Sequence, residues 1–272
     1  MITRTIEVGS AGLQCHVQEW GADGTPCIMV HGFGDASCVW SELARRLSGL
    51  RTIAIDLRGH GNSDWDALQD YDARTLTGDL TEVIEGLDAD RVILVGHSLG
   101  GEIVLRYAGT SNRIAALVIV DHGPELSKDG LDRVFQDVDE TPREFATVGH
   151  YADWLKTRRP LARPDLIEQF AAYNLRPISS GKFVVKSDPA LRRQPATETV
   201  SNGRYYRPEL WAALTKLTCP LLVIRGVGSA VLPVDVARRM VEVSGSAARL
   251  SVITRAGHAI MLDNPEIGRA HV

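Results

Sequence analysis

Residues 91–109 read RVILVGHSLGGEIVLRYAG, the most informative stretch of the sequence. A Val- and Ile-rich run leads into Gly96-His97-Ser98-Leu99-Gly100, and a segment with helical periodicity follows. So tight a turn between a strand and a helix needs glycine on both sides of the serine. It would hold the Ser98 hydroxyl above a sheet, with the following helix pointing its N-terminus and the Leu99 amide at the same spot. The pattern predicts a nucleophilic serine at position 98.

Short apolar runs recur on both sides of this stretch, each bounded by Gly, Asp or Pro, and each predicts a strand buried on both faces. Helical patterns lie between them; in the clearest, Leu76, Leu80 and Val83 fall on one face. Strands that alternate with helices indicate an α/β fold with a mostly parallel sheet covered by helices. The runs are Cys27–Val30, Thr52–Ile55, Val92–Val95, Ala115–Val120 and Leu221–Ile224.

The first twenty residues follow a different pattern. Apolar and polar residues alternate over residues 2–8 and again over 13–19, with the turn residues 9–12 between them. This alternation predicts an antiparallel hairpin at the edge of the sheet.

The strand and helix rhythm stops over residues 123–207. Helical stretches are expected there near Leu131–Val138, Tyr151–Lys156 and Pro164–Tyr173, and nine of the chain's 16 aromatic residues fall in the segment. We expect an inserted helical cap whose aromatic residues form a small core, an apolar roof over a pocket, or both. The expected domains are a core of residues 1–122 and 208–272 and a cap of residues 123–207.

Composition excludes several classes of function. The 272 residues include 30 Lys and Arg against 34 Asp and Glu, so no basic field exists to hold nucleic acid or anionic lipid. The longest purely apolar run, Ile114–Val120, is far shorter than the roughly 18 to 20 residues that cross a bilayer. MITRTIEVGS lacks the apolar segment of a signal peptide.

Cysteine and histidine spacing adds to this expectation. The four cysteines have no close paired spacing, and the eight histidines form no metal-binding pattern. We expect a cytoplasmic protein with reduced thiols, no cofactor and no metal, acting on a small molecule without a nucleic-acid or membrane partner. The oligomeric state stays open.

Further motifs stand in order around the Ser98 turn. HGFG (31–34) follows an early strand, DLRGHGNS (56–63) follows the next, and AGH (256–258) and DNPE (263–266) lie near the end. With these motifs the chain resembles the α/β-hydrolase superfamily over nearly its whole length, in particular bacterial esterase-like members with a helical cap. Since 14 residues follow His258, we expect a truncated or reduced last helix.

The resemblance implies roles for several of these residues. The backbone amides of Phe33 and Leu99 would form an oxyanion hole. His258 would act as general base, because a serine hydroxyl is too weakly acidic to attack an ester unaided. His31 and the Arg58 and His60 side chains would brace their loops.

The acid of a Ser-His-acid triad departs from the family's usual pattern. In similar hydrolases the acid comes shortly after the strand represented here by Leu221–Ile224. This chain has Ala230 where that acid would be expected. Asp121, at the end of the Ala115–Val120 strand, matches an alternative position and keeps the chain order serine, acid, histidine. Asp235 is better interpreted as a helix N-cap. The third possibility is a missing acid, through divergence or an introduced Asp→Ala change.

The sequence therefore predicts a capped serine hydrolase that cleaves a carboxylic ester of a small to mid-sized hydrophobic substrate. Ser98, His258 and Asp121 would carry the chemistry, and Trp40 and Trp154 are expected to border the pocket. Lactone or C–C bond hydrolysis would use the same residues, whereas haloalkane dehalogenases and epoxide hydrolases place Asp where Ser98 stands. A lyase or ligand receptor that has lost its acid is the alternative from another class.

Overall fold

The computed structural model describes residues 1–9, 11–192 and 199–265. The strands are β1 (Ile2–Val8), β2 (Leu13–Trp20), β3 (Thr25–Val30), β4 (Leu50–Ile55), β5 (Val92–His97), β6 (Ile114–Val120), β7 (Glu125–Ser127), β8 (Leu175–Pro177), β9 (Phe183–Val185), β10 (Val200–Ser201), β11 (Arg204–Tyr206), β12 (Leu221–Gly226) and β13 (Ala248–Ile253). The helices are α1 (Ser41–Arg46), α2 (Ala73–Glu85), α3 (Leu99–Ala108), α4 (Lys128–Asp139), α5 (Val148–Arg158), α6 (Pro164–Asn174), α7 (Pro208–Thr215), α8 (Val234–Ser244) and α9 (Ile260–Asp263).

Eight strands form the central sheet, in the order β1-β2-β4-β3-β5-β6-β12-β13. From β4 to β13 all neighbours run parallel, whereas β1 and β2 form an antiparallel hairpin at one edge and β2 pairs antiparallel with β4. The predicted α/β fold and the edge hairpin are confirmed. Because the carboxyl ends of β5, β6 and β12 lie side by side, the loops that follow them meet at one edge of the sheet.

Helices cover the sheet as the periodicity predicts. Leu76, Leu80, Val83 and Ile84 are fully buried on one face of α2. All four cysteines are free thiols. No helix among the described residues has the length and apolar character of a membrane span.

The segment that we assign to the cap contains α4, α5 and α6, each overlapping a predicted helical stretch. It also contains five short strands, β7 to β11, which the sequence analysis did not predict because two or three residues show no alternation. Glu125 of β7 lies opposite Tyr206 of β11, and the Arg207 N–H donates to the carbonyl of Pro124. The two ends of the segment are thus adjacent, which favours the proposed boundaries near residues 123 and 207.

Parts of two predictions fall outside the described residues. Residues 193–198 belong to the proposed cap, and residues 266–272 contain Glu266 and the end of the chain, where the reduced last helix was expected.

Two buried histidines fasten the loops that follow β3 and β4. His31 Nδ1 donates to the Gly32 carbonyl (2.8 Å), and its Nε2 accepts from the Leu57 N–H (3.0 Å). His60 Nδ1 donates to the Arg58 carbonyl (3.0 Å), and its Nε2 accepts from the Gly34 N–H (3.2 Å). Both rings must be neutral, because a second ring proton would face a backbone N–H donor.

Arg58 also has a bracing role. Its guanidinium pairs with Asp79 of α2 (2.5 Å) and with Asp66 (2.9 Å). Together with the two histidines, this ion-pair network fixes the loop after β4 against α2.

We predict that the free energy of unfolding falls as the pH falls from about 6.5 toward about 4. Burial lowers the pKa of His60 to about 3 and also lowers that of His31, whereas in the unfolded chain both titrate near ~6.5. Between these values the unfolded state binds more protons, so this stabilisation is complete above about pH 6.5 and is lost below it, by up to ~1.4 kcal/mol per pH unit for each histidine.

Urea denaturation at several pH values measures this dependence. A His60→Gln variant is the control, because it should be less stable than the wild type and show a shallower dependence on pH. An equal slope in the two proteins would contradict the assignment.

Candidate active site

Ser98 occupies the sharp turn between β5 and α3. Its φ is 51° and ψ is −121°, a left-handed backbone conformation that non-glycine residues rarely adopt. A Cβ on Gly96 would lie 2.2 Å from the carbonyl oxygen of Gly100, and one on Gly100 would lie 2.2 Å from that of Val30. The turn therefore requires both glycines, and the surrounding packing holds the strained serine.

Asp121 follows β6 and contacts His258. Its side chain is fully buried, and its Oδ2 lies 2.7 Å from Nδ1 of His258. Because an ionised carboxylate only accepts, Nδ1 carries the proton and Nε2 keeps its lone pair. The structure thus brings together two of the predicted residues in the arrangement that orients a general base.

The end of β12 and the loop after it supply the other partners of Asp121. The Ser229 hydroxyl donates to Oδ2 at 2.5 Å, and the Gly226 N–H approaches Oδ1 at 3.4 Å. Ala230, where the acid was expected, is exposed. This loop therefore holds the carboxylate of the neighbouring strand instead of presenting its own. Nothing in the sequence pattern singles out Ser229.

Asp235 does not cap α8. The helix begins at Val234, and Asp235 lies in its first turn, largely exposed and paired with Arg204 at 2.9 Å. Its exposure and its ion pair identify it as a surface residue.

The HGFG turn packs against the Ser98 turn. A Cβ on Gly32 would lie 3.1 Å from Cβ of Ser98, and Phe33 is the next residue along the chain. Leu99 is the first residue of α3, and the first amides of a helix have no acceptor within the helix. The two predicted oxyanion residues thus lie in chain segments that meet at Ser98.

His97 is a further residue of the site. Its ring lies against that of His258, with centroids 4.7 Å apart, and its Nε2 is 2.8 Å from the backbone carbonyl of His258. Its position next to Ser98 along a strand gave no indication that it would reach the loop after β13.

A cavity of about 1000 Å³ opens beside Ser98. Phe33 and Leu99 line it near the serine, and Leu131 and Phe135 of α4 line an apolar part. Phe33 and Phe135 are in edge-to-face contact, with ring centroids 5.4 Å apart. The proposed cap therefore contributes to the wall of the cavity, while its buried Phe145, Tyr151 and Phe170 pack in a core.

A sequence profile of the alpha/beta hydrolase family matches residues 27–267. The chain belongs to this family. Its fold class, its sheet and the order of its motifs agree with that membership.

Three relatives illustrate the range of this hydrolase family. A 2-(acetamidomethylene)succinate hydrolase of Mesorhizobium japonicum is 30% identical over 230 residues, which are 84% of this chain and 78% of that protein. A non-heme chloroperoxidase of Kitasatospora aureofaciens is 27% identical over 92% of this chain and 90% of that protein. The crystal structure of an alpha/beta hydrolase from Novosphingobium aromaticivorans superposes with a TM-score of 0.83 at 29% identity, covering 98% of this chain and 96% of that one.

The two tryptophans expected at the pocket of this hydrolase lie elsewhere. Trp40 is fully buried in the core, and Trp154 of α5 packs its ring against Tyr151 and under the guanidinium of Arg158. Neither is among the described residues that line the cavity at Ser98. The expectation that they border this cavity is therefore wrong, because packing accounts for both side chains.

One wall of the cavity is charged, whereas the aromatic side chains of residues 123–207 predicted an apolar pocket. The buried Glu102 pairs with Arg106 (2.7 Å) and Arg207 (3.1 Å), and all three side chains line the cavity. His122, the residue after Asp121, also lines it; burial, then the charge of Arg207, lowers its pKa well below the usual range. Over the described residues, no group of three His, Cys, Asp or Glu side chains could hold a metal ion.

Proposed function

We propose that this hydrolase cleaves carboxylic esters through an acyl-enzyme on Ser98. The observation that carries the proposal is the 2.7 Å contact between His258 Nδ1 and Asp121. It leaves Nε2 of His258 as the proton acceptor, in a loop that also contacts His97, the neighbour of the strained serine. A serine is activated in this way by a base that a third group orients.

In the proposed reaction, His258 takes the Ser98 proton as the hydroxyl oxygen attacks the ester carbonyl. The Phe33 and Leu99 amides stabilise the developing oxyanion, a contribution of roughly 3 to 4 kcal/mol for each donor in comparable sites. His258 then protonates the leaving alcohol and activates the water that hydrolyses the acyl-enzyme. Asp121 stays ionised and offsets the charge of the imidazolium.

The alternatives now differ in their support. Ala230 was the main argument for a receptor or lyase without a triad acid, and the contact of Asp121 with His258 weakens it. Lactone and C–C bond hydrolysis would use the same groups and differ only in the substrate that the cavity accepts.

We predict that the chain hydrolyses p-nitrophenyl esters and that Ser98→Ala abolishes this activity, because the variant has no nucleophile. A fluorophosphonate should add one adduct to the wild type, on Ser98, as intact-protein and peptide mass spectrometry would show. Ser180→Ala, a change at an exposed serine, is the matched control and should behave as the wild type. An adduct on another serine, or turnover by Ser98→Ala, would refute the proposal.

An acidic ester is the second candidate substrate. It would bind to the guanidinium groups of Arg106 and Arg207 on the cavity wall, both of which also pair with Glu102, and Arg106 with Glu209. The 30% identical relative is named for a succinate derivative, which carries carboxylates. Arg side chains are well suited to carboxylate recognition through paired hydrogen bonds. An apolar acyl chain would then lie on Leu131 and Phe135, with its carboxylate toward the arginines.

Two esters of similar length test this candidate: mono-p-nitrophenyl succinate and p-nitrophenyl butyrate. We predict that Arg207→Gln lowers kcat/KM for the succinate ester by about tenfold or more, and for the butyrate ester by less than about threefold. Arg74→Gln, at the exposed rim of the same cavity, is the control and should leave the ratio unchanged. Equal effects of Arg207→Gln on both esters would leave the neutral ester as the substrate class.

A further inference from the structure

We propose that Arg159 of the cap is a positioning residue: by pairing with Asp35 it shields His97 from that carboxylate, and so keeps the ring that holds His258 in place. The inference rests on the proposed role of His258 as general base. Arg159 lies in the proposed cap, so the sequence motifs of the core give no indication of its role.

The tautomer of His97 follows from its contact with the loop that carries His258. The carbonyl of His258 can only accept, so Nε2 of His97, 2.8 Å away, carries a proton. His97 is buried, and this burial, then the charge of His258, lowers its pKa to about 3. The ring is therefore neutral, with a lone pair at Nδ1.

That lone pair faces a carboxylate. Nδ1 of His97 lies 3.8 Å from Oδ2 of Asp35 and has no hydrogen-bond partner within the described chain. Asp35 is itself 4% exposed. Two acceptors that face each other in a buried site repel, and an uncompensated Asp35 would draw a second proton onto His97.

Arg159 supplies the compensation. The residue follows directly after α5, and its Nη2 donates to Oδ1 of Asp35 at 2.8 Å. Burial opposes ionisation of Asp35, but the charge of Arg159 lowers its pKa below the usual range. The guanidinium also lies 5.0 Å from the ring centroid of Phe170 in α6. Arg159 is thus positioned by α5, which it directly follows, and by α6.

The charged and titratable groups around His97, Asp35 and Arg159 come from several elements, and none replaces Arg159. Around His97 they are Asp35 in the loop after β3, His122 after β6, His258 after β13 and Arg159 after α5. Around Asp35 and Arg159 they also include His31 and Cys38, which follow β3, Tyr151 in α5 and Asp263 in α9. Arg159 is the group among these that bonds to Asp35 and carries a permanent positive charge.

The consequence for catalysis is electrostatic as well as geometric. A proton on His97 would place a cation beside the ring of His258, which must itself take a proton from Ser98. It would also draw Nδ1 of His97 toward Asp35 and weaken the hydrogen bond to the His258 carbonyl. Loss of Arg159 should therefore impair the base without removing any group that contacts substrate.

Imidazole NMR of the full chain tests this directly, with His97 signals assigned by comparison with His97→Gln. In the wild type and in Arg159→Lys, His97 should remain a neutral Nε2–H tautomer between about pH 5 and pH 8. In Arg159→Met it should gain a proton within that range. In the double variant Arg159→Met/Asp35→Asn it should be neutral again, because the carboxylate charge is gone.

Ester hydrolysis by the same proteins gives the second readout. At about pH 6 we expect kcat/KM of Arg159→Met to fall about tenfold or more, and that of the double variant to return to within about threefold of the wild type. A merely structural role would leave the double variant as impaired as the single one, which would overturn the inference, as would a His97 that stays neutral in Arg159→Met. A wild type without esterase activity but with the expected NMR behaviour would refute the proposed function alone.

Discussion

The hydrogen bond between Asp121 and His258 joins two loops that lie 137 positions apart in sequence. A fully buried carboxylate costs several kcal/mol of desolvation unless hydrogen bonds compensate it. Here the donors are Nδ1 of His258, the hydroxyl of Ser229 and, at a longer distance, the amide of Gly226. The loops after β6, β12 and β13 are thereby tied to one charged group, and the orientation of the imidazole depends on that group.

The position of the acid has a simple geometric basis. β6 and β12 are parallel neighbours, with Val120 opposite Ile224, and neighbouring strands lie about 4.8 Å apart. A carboxylate at the end of either strand therefore starts within reach of the same histidine. In this chain Asp121 approaches from β6, and the loop after β12 contributes a hydroxyl and an amide. Under the proposed mechanism, position 230 therefore needs no carboxylate.

Sequence patterns predicted the parts of the site that depend on local structure. The Ser98 turn follows from glycines whose added Cβ atoms would meet backbone oxygens at 2.2 Å, and the five buried strands follow from apolar runs. The sequence could also name Asp121 as a candidate. It could not decide between Asp121 and a missing acid, because that decision needs a contact between distant loops.

Side chains whose partners are distant in sequence were the ones that sequence reasoning missed. Arg159 and Asp35 are separated by 124 positions, and His97 and the His258 carbonyl by 161. Trp40 and Trp154 were placed at the pocket from their neighbourhood in the chain, whereas packing directs one into the core and the other against Tyr151. The charged wall of the cavity likewise combines α3 with Arg207, about a hundred residues later.

Asp121 is proposed to serve as the acid in place of a residue at position 230. The most direct measurement is kcat/KM of the near-isosteric Asp121→Asn variant beside that of Ala230→Asp, using an ester that the wild type hydrolyses. Asp121→Asn should lose about 10⁴-fold in kcat/KM, as does a serine protease with Asn in place of its triad Asp. Ala230→Asp should change kcat/KM by less than about threefold. Near-normal activity of Asp121→Asn, or a gain of orders of magnitude in Ala230→Asp, would contradict this role of Asp121.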